Sequence, residues 1–254
     1  MLTEPTYDKL IAMKLYGMAN ALKERLTRID HQGLTQAEFI GLLVDDEWLY
    51  REQRKLTTRL KVAKFKERGA AIENIDYRTP RGLKKTQLLE LAQNRWLGAH
   101  QNVLITGPSG AGKSYLAQAL GQHACRHGHS VQYLRLPALL SSFVQARALG
   151  TYDRLIRRLA KLELLILDDF GLATLTESEK QDLLEAIEER YGSGATLVTS
   201  QLPVSDWHEY LGAGRLADAI LDRLVHNAHR IELSSRESIR KQRPTLNHGG
   251  QSDT

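Results

Sequence analysis

Gly107-Pro108-Ser109-Gly110-Ala111-Gly112-Lys113-Ser114 is a glycine-rich run that ends in an amine and a hydroxyl. It satisfies the G-x-x-x-x-G-K-[ST] pattern at every required place. Glycines there let the backbone wrap round phosphates with its N–H groups pointing inward. The start of the following helix adds its positive end. Lys113 is therefore read as the contact to the β- and γ-phosphates, and Ser114 as a Mg²⁺ ligand. ATP and Mg²⁺ are the expected cofactors. A chance glycine-rich turn is the alternative. It is disfavoured because an apolar strand precedes the run and a helical pattern follows it.

A second run, Leu164-Leu165-Ile166-Leu167-Asp168-Asp169, is an apolar strand that ends in two carboxylates, 55 residues after Lys113. This is a Walker B pattern. Asp168 would hold Mg²⁺ through water, together with Ser114. Asp169 would orient and activate an attacking water. Alone, such a strand end is often only a turn; the pairing with the first run makes it specific.

Three further residues are candidates around these two runs. Gln201 follows Thr199-Ser200 at the end of the next strand, where a parallel sheet would bring it beside the two acids. There it could bond a γ-phosphate or the water; the alternative is a polar strand end capping the loop at Pro203. Arg223 lies on the helix Asp218–Leu224. In ring-forming ATPases an arginine here reaches the neighbour's site in trans; the alternative is a surface ion pair with Asp222 or Asp218. Arg240 could contact phosphate in cis, or be a solvated arginine.

Charge is unevenly placed. The chain has 254 residues and a formal charge of +5, yet residues 51–96 hold 13 Lys+Arg against 5 Asp+Glu, a balance of +8. Arg51, Arg54, Lys55, Arg59, Lys61, Lys64, Lys66 and Arg68 crowd one expected helix, with charge over more than half its circumference. Such a surface suits backbone phosphates of nucleic acid better than base edges; a solvated helix face is the plainer reading.

These residues need elements to position them. Asp8–Leu26 shows helical spacing, His31-Gln32-Gly33 breaks it, and Thr35-Gln36-Ala37-Glu38 is a capping-box signature. A second helix is expected to run on to about Arg68, with Gly69 as its stop. Pro80 and Gly82 are breakers before a helix over residues 83–96. Apolar strands are expected at 103–106, 131–134, 164–167, 195–199 and 230–233. Helices are expected between most of them, at 114–127, 137–148, 152–161, 178–191 and 217–226. That alternation predicts an α/β domain with a parallel sheet flanked by helices, after a small all-α N-terminal module. The expected division is 1–69 helical module, 70–100 linker and helix, 101–241 ATPase domain and 242–254 disordered tail.

The composition excludes several classes. The single cysteine, Cys125, rules out an intrachain disulfide and a cysteine metal cluster. His123, His127 and His129 are read as surface residues. No apolar run reaches the length of a membrane span, and Met1–Asp30 is charged throughout, so neither a membrane nor export is expected.

With these motifs in order, the chain resembles the DnaC/IstB group of AAA+ ATPases, and within it the IstB-like transposition helpers of bacterial insertion sequences. The resemblance covers nearly the whole chain. Besides the motifs it includes Arg81-Gly82-Leu83, Asn102–Pro108, Leu167-Asp168-Asp169-Phe170-Gly171 and Thr199-Ser200-Gln201-Leu202-Pro203. Two positions depart from the usual pattern: Gln201 stands for Asn, and Asp169 for Glu. The shorter Asp169 sits further from the water, which argues for slower hydrolysis. The resemblance implies ATP-dependent self-assembly on duplex DNA as a ring or helix, target marking, recruitment of the element's transposase, and a cytoplasmic, nucleoid-associated protein. Alternatives are a DnaC-type replicative helicase loader, a P-loop small-molecule kinase and a non-catalytic ATP-binding scaffold.

Overall fold

The structure is a computed structural model that describes residues 3–27, 34–78 and 81–234. The break at residues 31–33, the breaker Pro80, Arg240 and the tail from residue 242 lie outside the described residues. Backbone proximity divides the chain into two compact units, Met1–Arg59 and Leu60–Thr254.

The first unit is helical. It holds α1 (Thr3–Ala12), α2 (Tyr16–Thr27) and the greater part of α3 (Gln36–Ala63). The periodicity over residues 8–26 predicts one helix, and the structure has two. Lys14 adopts φ 60°, and the Leu15 N–H turns back to the Leu10 carbonyl at 2.8 Å, which closes α1. The cause is tertiary. The N-terminus of α2 must reach the Glu47 carboxylate of α3, which accepts from the Gly17 and Met18 N–H groups at 2.7 and 3.1 Å. The approach is so close that a Cβ on Gly17 would lie 2.6 Å from the Asp46 carbonyl. At the start of α3, Thr35 and Glu38 form the expected capping box.

The expected end of α3 is corrected. The helix stops at Ala63, not near Arg68, because Lys64 takes φ 58° and the next residues turn to bond the Gln118 side chain. Lys64, Lys66 and Arg68 therefore lie beyond the helix. The helix expected over 83–96 is likewise two pieces, α4 (Lys85–Leu91) and α5 (Arg95–Gly98), split at Asn94, which has φ 58°. The turn lets the buried Trp96 indole donate to the Leu91 carbonyl at 2.9 Å.

The second unit continues β1 (Asn102–Thr106), α6 (Lys113–Arg126), β2 (Val131–Arg135), α7 (Leu136–Ala148), α8 (Tyr152–Ala160) and β3 (Leu164–Phe170). It ends with α9 (Glu177–Glu188), β4 (Ala195–Ser200), α10 (Trp207–Tyr210), α11 (Arg215–Val225) and β5 (Ala228–Glu232). The sheet order is β2-β3-β4-β1-β5, and every pairing is parallel. Both faces are covered, which is why the strands read as unbroken apolar runs. Alternate residues of β3 show it. Leu165 and Leu167 join the core under α7–α11 with Leu139, Phe143, Leu183, Trp207 and Ile220. Ile166 points the other way, against Gly121 of α6. Arg190 is 1% exposed and bonds the Leu159, Leu162 and Ala195 carbonyls and the Thr196 hydroxyl, tying the loops that enter β3 and β4. Burial lowers its pKa to about 10.

The Glu47 contact carries a pH dependence. Burial pushes its carboxyl up, but the Arg51 side chain and the Met18 and Gly17 N–H groups outweigh that and hold it below the ordinary value. A depressed folded pKa means stability that is present above the unfolded value and lost as pH falls through the folded one. Glu47→Gln should therefore weaken the helical unit by about 1–2 kcal/mol at neutral pH. It should also flatten its acid unfolding as pH falls below the ordinary carboxylate range, as followed by the far-ultraviolet helical signal.

Candidate active site

Residues 107–112 link β1 to α6. Gly107 has φ 142°, and a Cβ there would lie 2.1 Å from the Leu233 carbonyl, so only glycine fits. Its N–H donates to the Ser200 carbonyl at 3.2 Å, which ties the loop to the end of β4. Gly112 caps α6 from the left-handed region with φ 91°. The loop is also held from behind. The buried Arg81 guanidinium donates to the Ala111 carbonyl at 3.2 Å and to the Asp76 carbonyl at 3.0 Å. Burial lowers the Arg81 pKa, against the opposing charge of Asp76. The Lys113 amine turns back over the loop to the Gly107 and Pro108 carbonyls at 2.7 and 2.8 Å.

The two motifs meet through side chains. Ser114 Oγ donates to Asp168 Oδ1 at 2.9 Å. The Asp168 carboxylate also accepts from Tyr133 Oη of β2, at 2.5 Å, and from Thr199 Oγ1 of β4. Asp168 is 3% exposed, so these three hydroxyls replace its water. Burial, and then donation to Asp168, push the Tyr133 pKa well up, which keeps the phenol a donor. A hard cation takes oxygen ligands and keeps several waters. A serine hydroxyl beside an aspartate fits Mg²⁺ bound alongside nucleotide phosphates.

Asp169 sits in a different conformation. It has φ 63°, at a register shift between Leu167 and Phe170 where β3 meets β4. A left-handed non-glycine residue is strained and marks a position fixed by its surroundings. Its N–H donates to Thr199 Oγ1 at 3.3 Å, and its carboxylate is ion-paired with Arg135 at the end of β2. That hydrogen bond, with the charge of Asp169, raises the Arg135 pKa.

The other sequence candidates lie as follows. Gln201 is the first residue past β4 and is exposed; the β4 residue that touches the acids is Thr199. Arg223 is on α11, whose last turn is held by Asn102 Nδ2 at the Arg223 and Leu224 carbonyls. Its guanidinium pairs within the chain with Glu188 at 2.8 Å and Asp222 at 3.4 Å, the latter one of the two surface partners expected. In the basic segment, Arg51 pairs with Glu47 and Lys55 with Glu52, while Arg54 lies over the Tyr50 ring. Lys61, Lys64 and Arg68 gather round one cavity. His123 is half-buried beside the exposed His127, and its ring meets the Ala92 carbonyl at 2.8 Å. Among the described residues no helix is long and apolar enough to cross a membrane.

Tyr133, Arg135 and Arg81 are the residues that sequence reasoning missed. Their signal was faint: a polar side chain at the end of an apolar strand, or beside a glycine. Which strand neighbours β3 is decided only by the sheet order.

Comparison with known proteins places this geometry. The sequence profile described as IstB-like ATP binding protein matches residues 8–246. The chain belongs to that family. It is 51% identical over 243 residues to an insertion sequence ATP-binding protein, y4pL, of Sinorhizobium fredii, covering 96% of this chain and 99% of the relative. It is 43% identical over 205 residues to the insertion sequence IS1162 ATP-binding protein of Pseudomonas fluorescens, covering 81% and 89%. Among solved structures, DnaI matches with TM-score 0.55 and 18% identity over 65% of this chain and 91% of that one. The DnaC helicase loader matches with TM-score 0.52 and 17% identity over 58% and 86%. These likenesses show an AAA+ P-loop fold for this IstB-like chain.

Thr199 offers a test of the acid cluster. Thr199→Val keeps the shape but removes the donor to Asp168 and the acceptor for the Asp169 N–H. Unpaired buried polar groups should cost about 2 kcal/mol, measured by denaturant unfolding. A variant as stable as the parent would show that the bridging hydroxyl is dispensable.

Proposed function

We propose that this chain is an ATP-dependent, DNA-binding AAA+ ATPase that assembles on duplex DNA and assists transposition of an insertion sequence. It would do so by selecting target DNA and recruiting the element's transposase. The observation that carries the ATPase reading is the Ser114–Asp168 hydrogen bond, which joins the glycine-rich loop to the acidic strand end. Family membership supports the insertion-sequence setting. The proposed setting within the cell is the cytoplasm of a bacterium, at the nucleoid.

The residues divide the work. Backbone N–H groups of residues 107–112 and the α6 N-terminus bind the phosphates of ATP. The Lys113 ammonium exchanges two loop carbonyls for phosphate oxygens, which are charged and therefore stronger partners. Ser114 and Asp168 are the residues that would hold Mg²⁺; the ion supplies neutralisation of phosphate charge. Asp169 orients and deprotonates the attacking water. In this structure Arg135 occupies Oδ2 of that carboxylate, so the water would meet the other oxygen, Oδ1, unless the pair opens. Gln201 would meet the γ-phosphate or the water. Arg223 would leave Glu188 and complete a neighbouring copy's site, which makes turnover depend on assembly. Arg240 would add a contact in cis. The helical module of residues 1–69 would carry DNA and assembly contacts, and residues 101–241 the ATPase, joined by residues 70–100.

Three measurements test this reading. Lys113→Ala should lose ATP binding by at least about a hundredfold, since a charge-assisted contact to phosphate goes; unchanged affinity would overturn the phosphate-loop assignment. Asp169→Asn should bind ATP normally and turn it over about a hundredfold or more slower, the usual loss when a positioned base goes. Arg223→Ala mixed with Lys113→Ala should regain part of the ATPase activity that each lacks, because one supplies intact loops and the other intact arginines. No recovery at any ratio would place Arg223 outside the neighbour's site.

The DNA interaction has its own signature. Changing Arg54, Lys55, Arg59 and Lys61 together to Glu should weaken all duplexes alike. It should also flatten the plot of log K against log salt, by roughly 0.9 in slope for every phosphate the variant no longer neutralises. Preference for single strands over duplex, read by competition, would instead favour the helicase-loader alternative.

A further inference from the structure

The segment that follows α3 connects a basic cavity to the phosphate-loop helix through two buried glutamines. The cavity is about 380 Å³ and is lined by Leu60, Lys61, Lys64, Phe65, Arg68 and Gln122, three cations and no carboxylate. Lys61, Lys64 and Arg68 are exposed, so an anion seated among them can meet all three. Lys64 is also the residue held at φ 58°. A lysine in the left-handed region stays there only when its surroundings over-determine it. Here the surroundings are α6.

Gln118 Oε1 accepts from the Lys66 and Glu67 N–H groups at 2.7 and 2.9 Å. Gln122 Nε2 donates to the Glu67 carbonyl at 2.7 Å. Between them Gly121 lets the Phe65 ring close on α6; a Cβ there would lie 2.8 Å from it. The other end of Gln118 points along α6, where Nε2 donates to the Ser114 carbonyl at 3.1 Å. Ser114 in turn holds Asp168. Gln118 and Gln122 are 1% and 3% exposed, so water is a poor substitute for these bonds.

We infer that the Lys61–Lys64–Arg68 cavity is a backbone-phosphate site for duplex DNA, and that Gln118 is the positioning residue that carries its occupancy to Ser114 in the nucleotide site. The inference rests on the duplex-binding reading above and narrows it to a built cavity. A phosphodiester suits the lining: its charge meets the three cations while its sugar packs on Phe65 and Leu60. Drawing Lys64 and Arg68 onto a phosphate moves the 64–68 turn. The turn is bonded to Gln118, and Gln118 to the residue that would hold Mg²⁺. Coupling of this kind is reciprocal: DNA changes nucleotide affinity by the same factor as nucleotide changes DNA affinity.

The test measures that factor on the full chain, with a fluorescent duplex and AMPPCP as the nucleotide. In the parent, each ligand should tighten the other by about tenfold, within the usual range of coupling between sites. Gln118→Leu should bind each ligand alone within about threefold of the parent, while the factor falls to near one. Gln118→Glu keeps the acceptor for the Lys66 and Glu67 N–H groups but loses the donor to Ser114. It should uncouple the sites too, and it carries the test if Gln118→Leu folds poorly. A factor unchanged in the folded variants would overturn the coupling route. Changing Lys61, Lys64 and Arg68 to Gln should lower the salt slope of duplex binding by roughly 2–3. An unchanged slope with binding retained would overturn the cavity as the phosphate site and leave the duplex-binding reading standing. A parent chain that binds no duplex would overturn both.

Discussion

The buried charge of Asp168 is the constraint that organises the second unit. A carboxylate with 3% exposure must be compensated by hydrogen bonds, and here three hydroxyls supply them. They come from different elements: Ser114 from the first turn of α6, Tyr133 from β2 and Thr199 from β4. The sheet order makes this possible, because β3 lies between β2 and β4. A register slip of one residue would turn these side chains to the other face and strip the acid of its donors. The core packing of Leu165 and Leu167 is thus tied to the geometry of the site.

The glycine-rich loop depends on parts of the chain far from it in sequence. Gly107 is pressed against Leu233, bonded to Ser200, and backed by Arg81 through Ala111. The Leu233 N–H returns to Thr106, and the Ser234 N–H to the Arg81 carbonyl, so the strand β5 side and the segment before α4 close on the loop together. A loop held this way needs little ordering when a phosphate arrives, which is how preorganisation favours binding. The Arg135–Asp169 pair adds an opposing feature. The second acid of the strand end is held by a cation from the neighbouring strand.

The first unit stands on a different principle. Among its described residues it buries few apolar side chains, Leu10, Ala19 and Leu43, and one carboxylate, Glu47. Glu47 caps α2 from another helix and also binds Arg51. Two cations read from sequence as available to phosphates, Arg51 and Lys55, already have acid partners. The Lys55–Glu52 pair is exposed and therefore weak, whereas the Arg51–Glu47 pair engages a buried carboxylate and is costly to break.

The sequence by itself determined the strands, the phosphate loop, the acidic strand end and the capping box at Thr35. Each is a local pattern whose physics acts within a few residues: unbroken apolar runs, glycine freedom, a side chain reaching the next turn. It also determined the family, through motifs in a set order. Tertiary structure decided what no local pattern contains. It broke the helices at Lys14, Lys64 and Asn94, because α2, the 64–68 turn and Trp96 each had a partner elsewhere to reach. It recruited Tyr133 and Arg135, because only the order of strands says which side chains flank β3. It brought Thr199 to Asp168 and left Gln201 beyond the strand, because register and a bulge, set by packing on both faces, choose which residue of a strand end faces the acids.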